Sequence, residues 1–188
     1  MLLFDVNQPA PTFSEIIIFT VAVFITTVLI FNVVMKYVTP DLAQEKKHGT
    51  KRELDALKTK QISPDELALS EFINAAVYAP IAEELFFRLF LFKTVLVNRL
   101  KLNKHLANLI QAILFGLFHI SNILFSTTPS ANVYVQIISA TLGGLISGYS
   151  YMYSNSILPS FLAHAINNTI AINQEVVEYE KILMNINN

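Results

Sequence analysis

The 188-residue chain contains no cysteine. Disulfides, thiolate nucleophiles and Cys-ligated zinc are therefore excluded. Charge is scarce: Asp, Glu, Lys and Arg make up 14% of the residues, where a soluble domain carries about 25%. No sign of charge prevails, since the formal net charge is −1, and nothing suggests nucleic acid as a partner. Glycine is limited to 5 residues, and none of them forms a Walker or dinucleotide-type phosphate loop.

Hydrophobic residues make up 53% of the chain, and its mean hydropathy is +0.49. The length predicts a single domain. The apolar residues are gathered in five segments, at about 14 to 36, 67 to 98, 106 to 125, 131 to 153 and 157 to 173. In the first, the run from Ile16 stays apolar for about 19 residues, enough to cross roughly 30 Å of hydrocarbon as a helix. It has neither the basic start nor the small-residue cleavage site of a signal peptide, so it reads as a retained span. The pattern predicts an all-α fold, a polytopic integral membrane helical bundle with about five transmembrane helices.

The expected organisation is an N-terminal transmembrane helix (1–40), a polar charged loop (41–66), a catalytic membrane core (67–173) and a C-terminal tail (174–188). The loop carries most of the Lys and Arg residues, which predicts a cytoplasmic position for it. Single crossings then put Arg99, Lys101 and Lys104 on the far side, against the same rule. The loop ends in Ser63-Pro64-Asp65-Glu66, a capping box with proline at the first helical position. Pro80 predicts a kink or a partly re-entrant path in the second segment. Gly144 and Gly148, at small-xxx-small spacing, predict close helix packing. The tail reads as an interfacial helix or a frayed end.

Ionisable residues inside apolar helices are expensive and rare without a partner or a function. The segment Ala82-Glu83-Glu84-Leu85-Phe86-Phe87-Arg88 holds three of them. Residues four apart share a helix face, so Glu84 can pair with Arg88, while Glu83 points about 100° away and is free to face a cavity. Phe115 and His119 form a second i, i+4 pair, and His164 and Asn168 a third. Taken alone, the first fits a structural cluster and a functional one equally, and the second and third read more plainly as buried structural contacts. Together they converge. Glu83 and His119 are each about 18 residues, or 27 Å of regular helix, from Lys101 in the turn between their helices, so an antiparallel hairpin brings them to one depth. His164 also lies well inside its span.

Three helices thus bring a carboxylate, two imidazoles and a carboxamide to one level. A carboxylate and an imidazole flanking one water can share its proton and make it a nucleophile. The other imidazole and the carboxamide can donate hydrogen bonds to a developing oxyanion. This set suits amide hydrolysis within a membrane.

The ordered motifs EExxxR (Glu83, Glu84, Arg88), FxxxH (Phe115, His119) and HxxxN (His164, Asn168) resemble the CPBP family of intramembrane proteases. That family comprises the CAAX prenyl endopeptidases and the bacteriocin-processing or immunity-associated proteins, also called the Abi family. APIAEE before the first motif and SILPSFLAHAINN around the third fit as well, and the resemblance covers about residues 66 to 172. It implies that Glu83 and His119 activate the water, that His164 and Asn168 form the oxyanion site, and that Glu84, Arg88 and Phe115 support them. It also implies a peptide or membrane-protein substrate, a bilayer setting, most plausibly a bacterial cell membrane, and a possible toxin or sensor partner. Many relatives have Gly after the motif Arg where this chain has Leu89, and many carry more helices before the core. HExxH is absent, so the leading expectation requires no metal or other cofactor, although two His and one Glu are a possible set for zinc with an open position. Two other classes fit less well: a non-catalytic membrane interaction or immunity protein that keeps the polar core for stability, and a proton-coupled carrier, which the lack of an internal repeat disfavours.

Overall fold

A computed structural model describes residues 9–33, 36, 59, 62–121 and 130–184, and no strand occurs among them. Five helices follow in chain order: α1 (Phe13–Val33), α2 (residues 64–99), α3 (Lys104–Phe118), α4 (Ser130–Ser154) and α5 (Leu158–Met184). Of the expected polar loop, residues 41–58, 60 and 61 lie outside the described residues.

α2 begins where the sequence predicts. Ser63 Oγ accepts the Glu66 N–H at 3.2 Å, and the Glu66 carboxylate accepts the Ser63 N–H at 3.0 Å. Two of the first helical turn's unpaired donors are satisfied this way. The rod then runs through four consecutive stretches, Pro64–Glu71, Phe72–Tyr78, Ala79–Glu84 and Leu85–Arg99. The second and fourth are wound more widely, as π-helix. The Ala79 N–H bonds the Asn74 carbonyl and the Leu100 N–H bonds the Val95 carbonyl, five residues back in each case. Such winding is rare and usually confined to single turns, often at functional sites. Pro80 does not break the rod. Backbone angles stay right-handed helical at Tyr78 and Ala79, because Pro80 falls in the first turn of an α stretch, where a missing N–H is tolerated.

The turns fall at the expected places. Lys101 adopts φ 56°, the Leu102 N–H closes on the Leu96 carbonyl at 3.0 Å, and Asn103 caps α3 by accepting the His105 N–H at 2.9 Å. Asn155, at φ 53°, turns α4 into α5, and Ser156 Oγ accepts the Leu158 N–H. Asparagine tolerates this left-handed region better than most residues.

α3 and α4 form the most extensively packed pair, and glycines set their separation. A Cβ on Gly148 would run into the Asn108 carboxamide, and one on Gly144 would lie 2.9 Å from Phe115. The predicted role of this glycine pair is thus met. α2 and α5 run antiparallel: Ser160 meets Glu84, Asn168 meets Ala75, and Tyr179 meets Ile62. α1 lies against α4 and α5, burying Thr20 and Val23.

Two differences from expectation concern the ends of helices. α3 ends at Phe118, so His119 caps it instead of sitting inside it; residues 122–125 of the third apolar segment lie outside the described residues. The C-terminal segment continues α5 as far as Met184, where a separate interfacial piece or frayed end was expected. Its Tyr179 is fully buried with Leu67, and its hydroxyl donates to the Ile62 carbonyl at 2.7 Å.

By length and composition, one described helix can cross a membrane, at Phe13–Ile30; Lys104–Phe118 is apolar but shorter. Glu84, Arg88, Asn108, Gln111, Ser156 and Ser160 are buried, while large apolar side chains such as Phe86, Phe90, Leu114 and Phe118 are exposed.

Gly116→Ala puts a methyl against Thr141 Oγ1 and 2.7 Å from the Ile137 carbonyl oxygen, whereas on Gly143 the nearest atom is 3.8 Å away. The first substitution is expected to cost about 1–3 kcal/mol, and the second to be neutral or stabilising. Thermal unfolding in detergent compares them, and equal stabilities would contradict this helix crossing. The Ser63 backbone N–H and hydroxyl hold the Glu66 carboxyl below its usual range. A depressed pKa contributes stability that is present above the unfolded value, about 4.3, and lost as pH falls through the folded one. The advantage of wild type over Glu66→Ala is therefore expected at pH 7 and expected to vanish in acid; an advantage independent of pH would refute the carboxylate's role.

Candidate active site

The site lies where α2 faces α5, roofed by the end of α3. In the EExxxR segment, Glu84 and Arg88 are one helical turn apart, and Arg88 Nε stands 3.1 Å from Glu84 Oε2, with both side chains 1% exposed. The Arg88 guanidinium also lies over the Phe115 ring, 4.8 Å from its centroid. A cation over an aromatic face is a favourable contact, and a desolvated one more so. Phe115 therefore covers the ion pair. Phe87 packs edge-on against Phe115 at 4.9 Å and helps seal the same layer.

Glu83 points to a different side, as its position in the helix dictates, and is 17% exposed. His164 occupies the space between the two carboxylates. Its Nε2 is 3.8 Å from Glu83 Oε2, and its Nδ1 is 3.8 Å from Glu84 Oε1. Sequence reasoning gave Glu83 no local partner and did not foresee one ring bridging neighbouring carboxylates. Glu83 Oε2 makes no hydrogen bond to any described residue, so it is an uncommitted acceptor.

His119, at the end of α3, stands edge-on to the Phe115 ring, with centroids 5.3 Å apart. Its Nδ1 lies 3.0 Å from the Phe115 carbonyl oxygen. A carbonyl only accepts, so this contact is made by an Nδ1–H donor, and in the neutral ring Nε2 then carries the lone pair. The helix end thus supplies the orientation that fixes the tautomer. Asn168, one turn beyond His164, donates from Nδ2 to the Ala75 carbonyl at 2.7 Å. Its amide has a second N–H.

Ser160 was missed from the sequence. It is fully buried, and its hydroxyl donates to Glu84 Oε2 at 2.7 Å. A signal for it existed: Ser160, His164 and Asn168 recur every fourth residue in an apolar segment, and all three face α2. Asn108 and Gln111 were also missed. Their side chains bond each other and the Leu145 and Gly144 carbonyls, which makes them a polar link between α3 and α4, away from the carboxylates. Among the described residues, no three His, Asp or Glu side chains gather closely enough to share a metal ion.

A family model described as type II CAAX prenyl endopeptidase Rce1-like matches residues 65–170. The chain belongs to this family. The Rce1-like match begins in the first turn of α2 and ends in α5, so it takes in Glu83, His119, His164 and Asn168 and leaves α1 outside. Membership makes the chain a protease-family protein of the endopeptidase class. No curated protein and no solved structure matches the chain.

Arg88→Leu removes the partner of a buried carboxylate and is expected to destabilise the protein by about 3–5 kcal/mol. Ser160→Ala removes one of two groups bonded to Glu84 Oε2, with an expected cost of about 1–3 kcal/mol. Unfolding in detergent gives the order; a smaller loss for Arg88→Leu than for Ser160→Ala would overturn the primacy of the ion pair.

Proposed function

We propose that this protein is a polytopic intramembrane endopeptidase that hydrolyses peptide bonds with a water activated by Glu83 and His119. The observation that carries the proposal is the meeting of Glu83, with its uncommitted oxygen, and His164, held between two carboxylates, inside a helical bundle. Large apolar side chains exposed on α2 and α3 support a bilayer setting. Phe86, Phe90 and Leu114 would meet lipid, and the charges of Glu84 and Arg88 are kept within the bundle. The domain scheme follows: α1 is one transmembrane element, and residues 67–173 form the catalytic core.

In this mechanism a water sits between the Glu83 carboxylate and His119 Nε2. Glu83 takes its proton as the oxygen attacks the peptide carbonyl carbon. Negative charge then moves onto the carbonyl oxygen, where N–H groups of His164 and Asn168 stabilise it. Carrying both ring protons, His164 directs its Nδ1–H to Glu84, itself held by Arg88 and Ser160, and keeps its Nε2–H for that oxygen. Collapse of the tetrahedral intermediate breaks the C–N bond, and Glu83 returns its proton to the leaving amine. The water is thereby divided between the new carboxyl and amino ends.

On the outer side of the α2–α5 seam, two apolar clefts of about 270 and 230 Å³ share Phe161, with Phe72 and Ala165 in one and Leu85 and Leu158 in the other. They suit a hydrophobic substrate segment arriving from the bilayer. The family's description makes a prenylated C-terminal peptide one candidate substrate, and other membrane peptides or proteins fit the same clefts.

Protein N- and C-termini compared between cells with wild type and with Glu83→Gln, at matched membrane abundance, test the proposal. New termini that require Glu83 are expected, as is loss of cleavage by several orders of magnitude in the purified variant. Cleavage by wild type is expected to survive exhaustive chelation. Identical termini in the two cell populations, with the variant still supplying the protein's biological activity, would favour an interaction or immunity role over hydrolysis.

A further inference from the structure

A carbonyl within a helix is normally committed to an N–H of the same helix. The Gly144 and Leu145 carbonyls, lying within α4, also take a side-chain amide from α3 on their second lone pair, whereas the Ala75 carbonyl accepts the Asn168 amide, from a residue 93 positions along the chain, with no N–H of α2 to share it. The winding of α2 supplies the reason. Phe72–Tyr78 is π-helical, and at its end the Ala79 N–H bonds the Asn74 carbonyl, five residues back. In that register the next bond would run from residue 80 to the Ala75 carbonyl. Residue 80 is proline, which has no N–H to give.

We propose that Pro80 is a positioning residue for the site: by withholding the one N–H that would occupy the Ala75 carbonyl, it leaves an acceptor that fixes the Asn168 amide and the axial register of α5 on α2. An amide is planar, so committing one Nδ2–H sets the direction of the other. The bond at Asn168 and the bond from Ser160 to Glu84 flank His164 by one turn on either side. With both in place, His164 cannot slide along α2 away from Glu83 and Glu84. The wide turn, the proline and the asparagine thus form one device, and its effect on turnover rests on the protease mechanism proposed above. The hydrogen-bond register itself does not.

The test separates the two. Alanine carbonyls are labelled with 13C in the full chain in micelles, and the Ala75 resonance is assigned by its loss in Ala75→Ser. Asn168→Ala is expected to shift that resonance in the wild-type background and to leave it unmoved in Pro80→Ala, where the residue-80 N–H takes over the carbonyl. Asn168→Asp, near-isosteric but without the donor, repeats the measurement should Asn168→Ala loosen α5. An equal shift in both backgrounds, or none in wild type, overturns the proposal. On a peptide spanning a bond found by the termini comparison, Pro80→Ala is expected to lower kcat on the order of a hundredfold, the scale of a misplaced catalytic group, with KM little changed. An unchanged kcat alongside the lost carbonyl coupling overturns the positioning role. Where wild type cleaves nothing, the carbonyl result still decides the register.

Discussion

The buried pair of Glu84 and Arg88 is the interaction around which the rest is arranged. Both side chains are almost wholly excluded from solvent, and separating either from the other would leave a charge with no compensation in an apolar interior. Each remaining neighbour reduces that cost. Ser160 donates to one carboxylate oxygen, His164 faces the other, and the Phe115 ring lies under the guanidinium. These three side chains come from α5 and α3, so neutralising one ion pair on α2 fixes where two other helices must lie. Glu83 then reaches the open side of the cluster because it is the next residue on the same helix.

A second constraint is the polar stripe on α5. Ser160, His164 and Asn168 each engage α2, and their partners run backwards along it, from Glu84 to Ala75. In a bilayer, apolar faces give two helices no reason to prefer one axial position over another. Three polar contacts one turn apart supply that preference. The stripe therefore serves position as well as chemistry, and the residue between its two outer contacts is the one that touches both carboxylates.

Much of this was legible in the sequence because it depends on spacing alone. The i, i+4 rule finds the Glu84–Arg88 pair, the capping box locates the start of α2, and the turn at Lys101 falls where the apolar segments break. What stayed hidden depends on departures from ideal α geometry or on tertiary context. Periodicity cannot reveal that α2 is wound as π-helix in two stretches, so the fate of the Ala75 carbonyl was unreadable and Pro80 looked like a kink. Ser160 was passed over because a lone serine in an apolar helix usually bonds its own backbone, and Ser160 also does that, to Ile157. The extension of α5 was missed because the polarity of its last turns resembles a frayed end, while Tyr179 docks them on Leu67 and Ile62.

The antiparallel seam of α2 and α5 joins helices that are far apart in the chain. Its bonds close over 76, 93 and 117 residues. Contacts of such separation carry a loop-closure cost and form late. During synthesis, α2 emerges with Glu83, Glu84 and Arg88 long before α5 can offer Ser160, His164 and Asn168. The two sides of the cluster are thus split between early and late parts of the polypeptide. A chain still being made has its carboxylates but not the imidazole that bridges them, and on the proposed function it would gain hydrolytic competence only once α5 is in place.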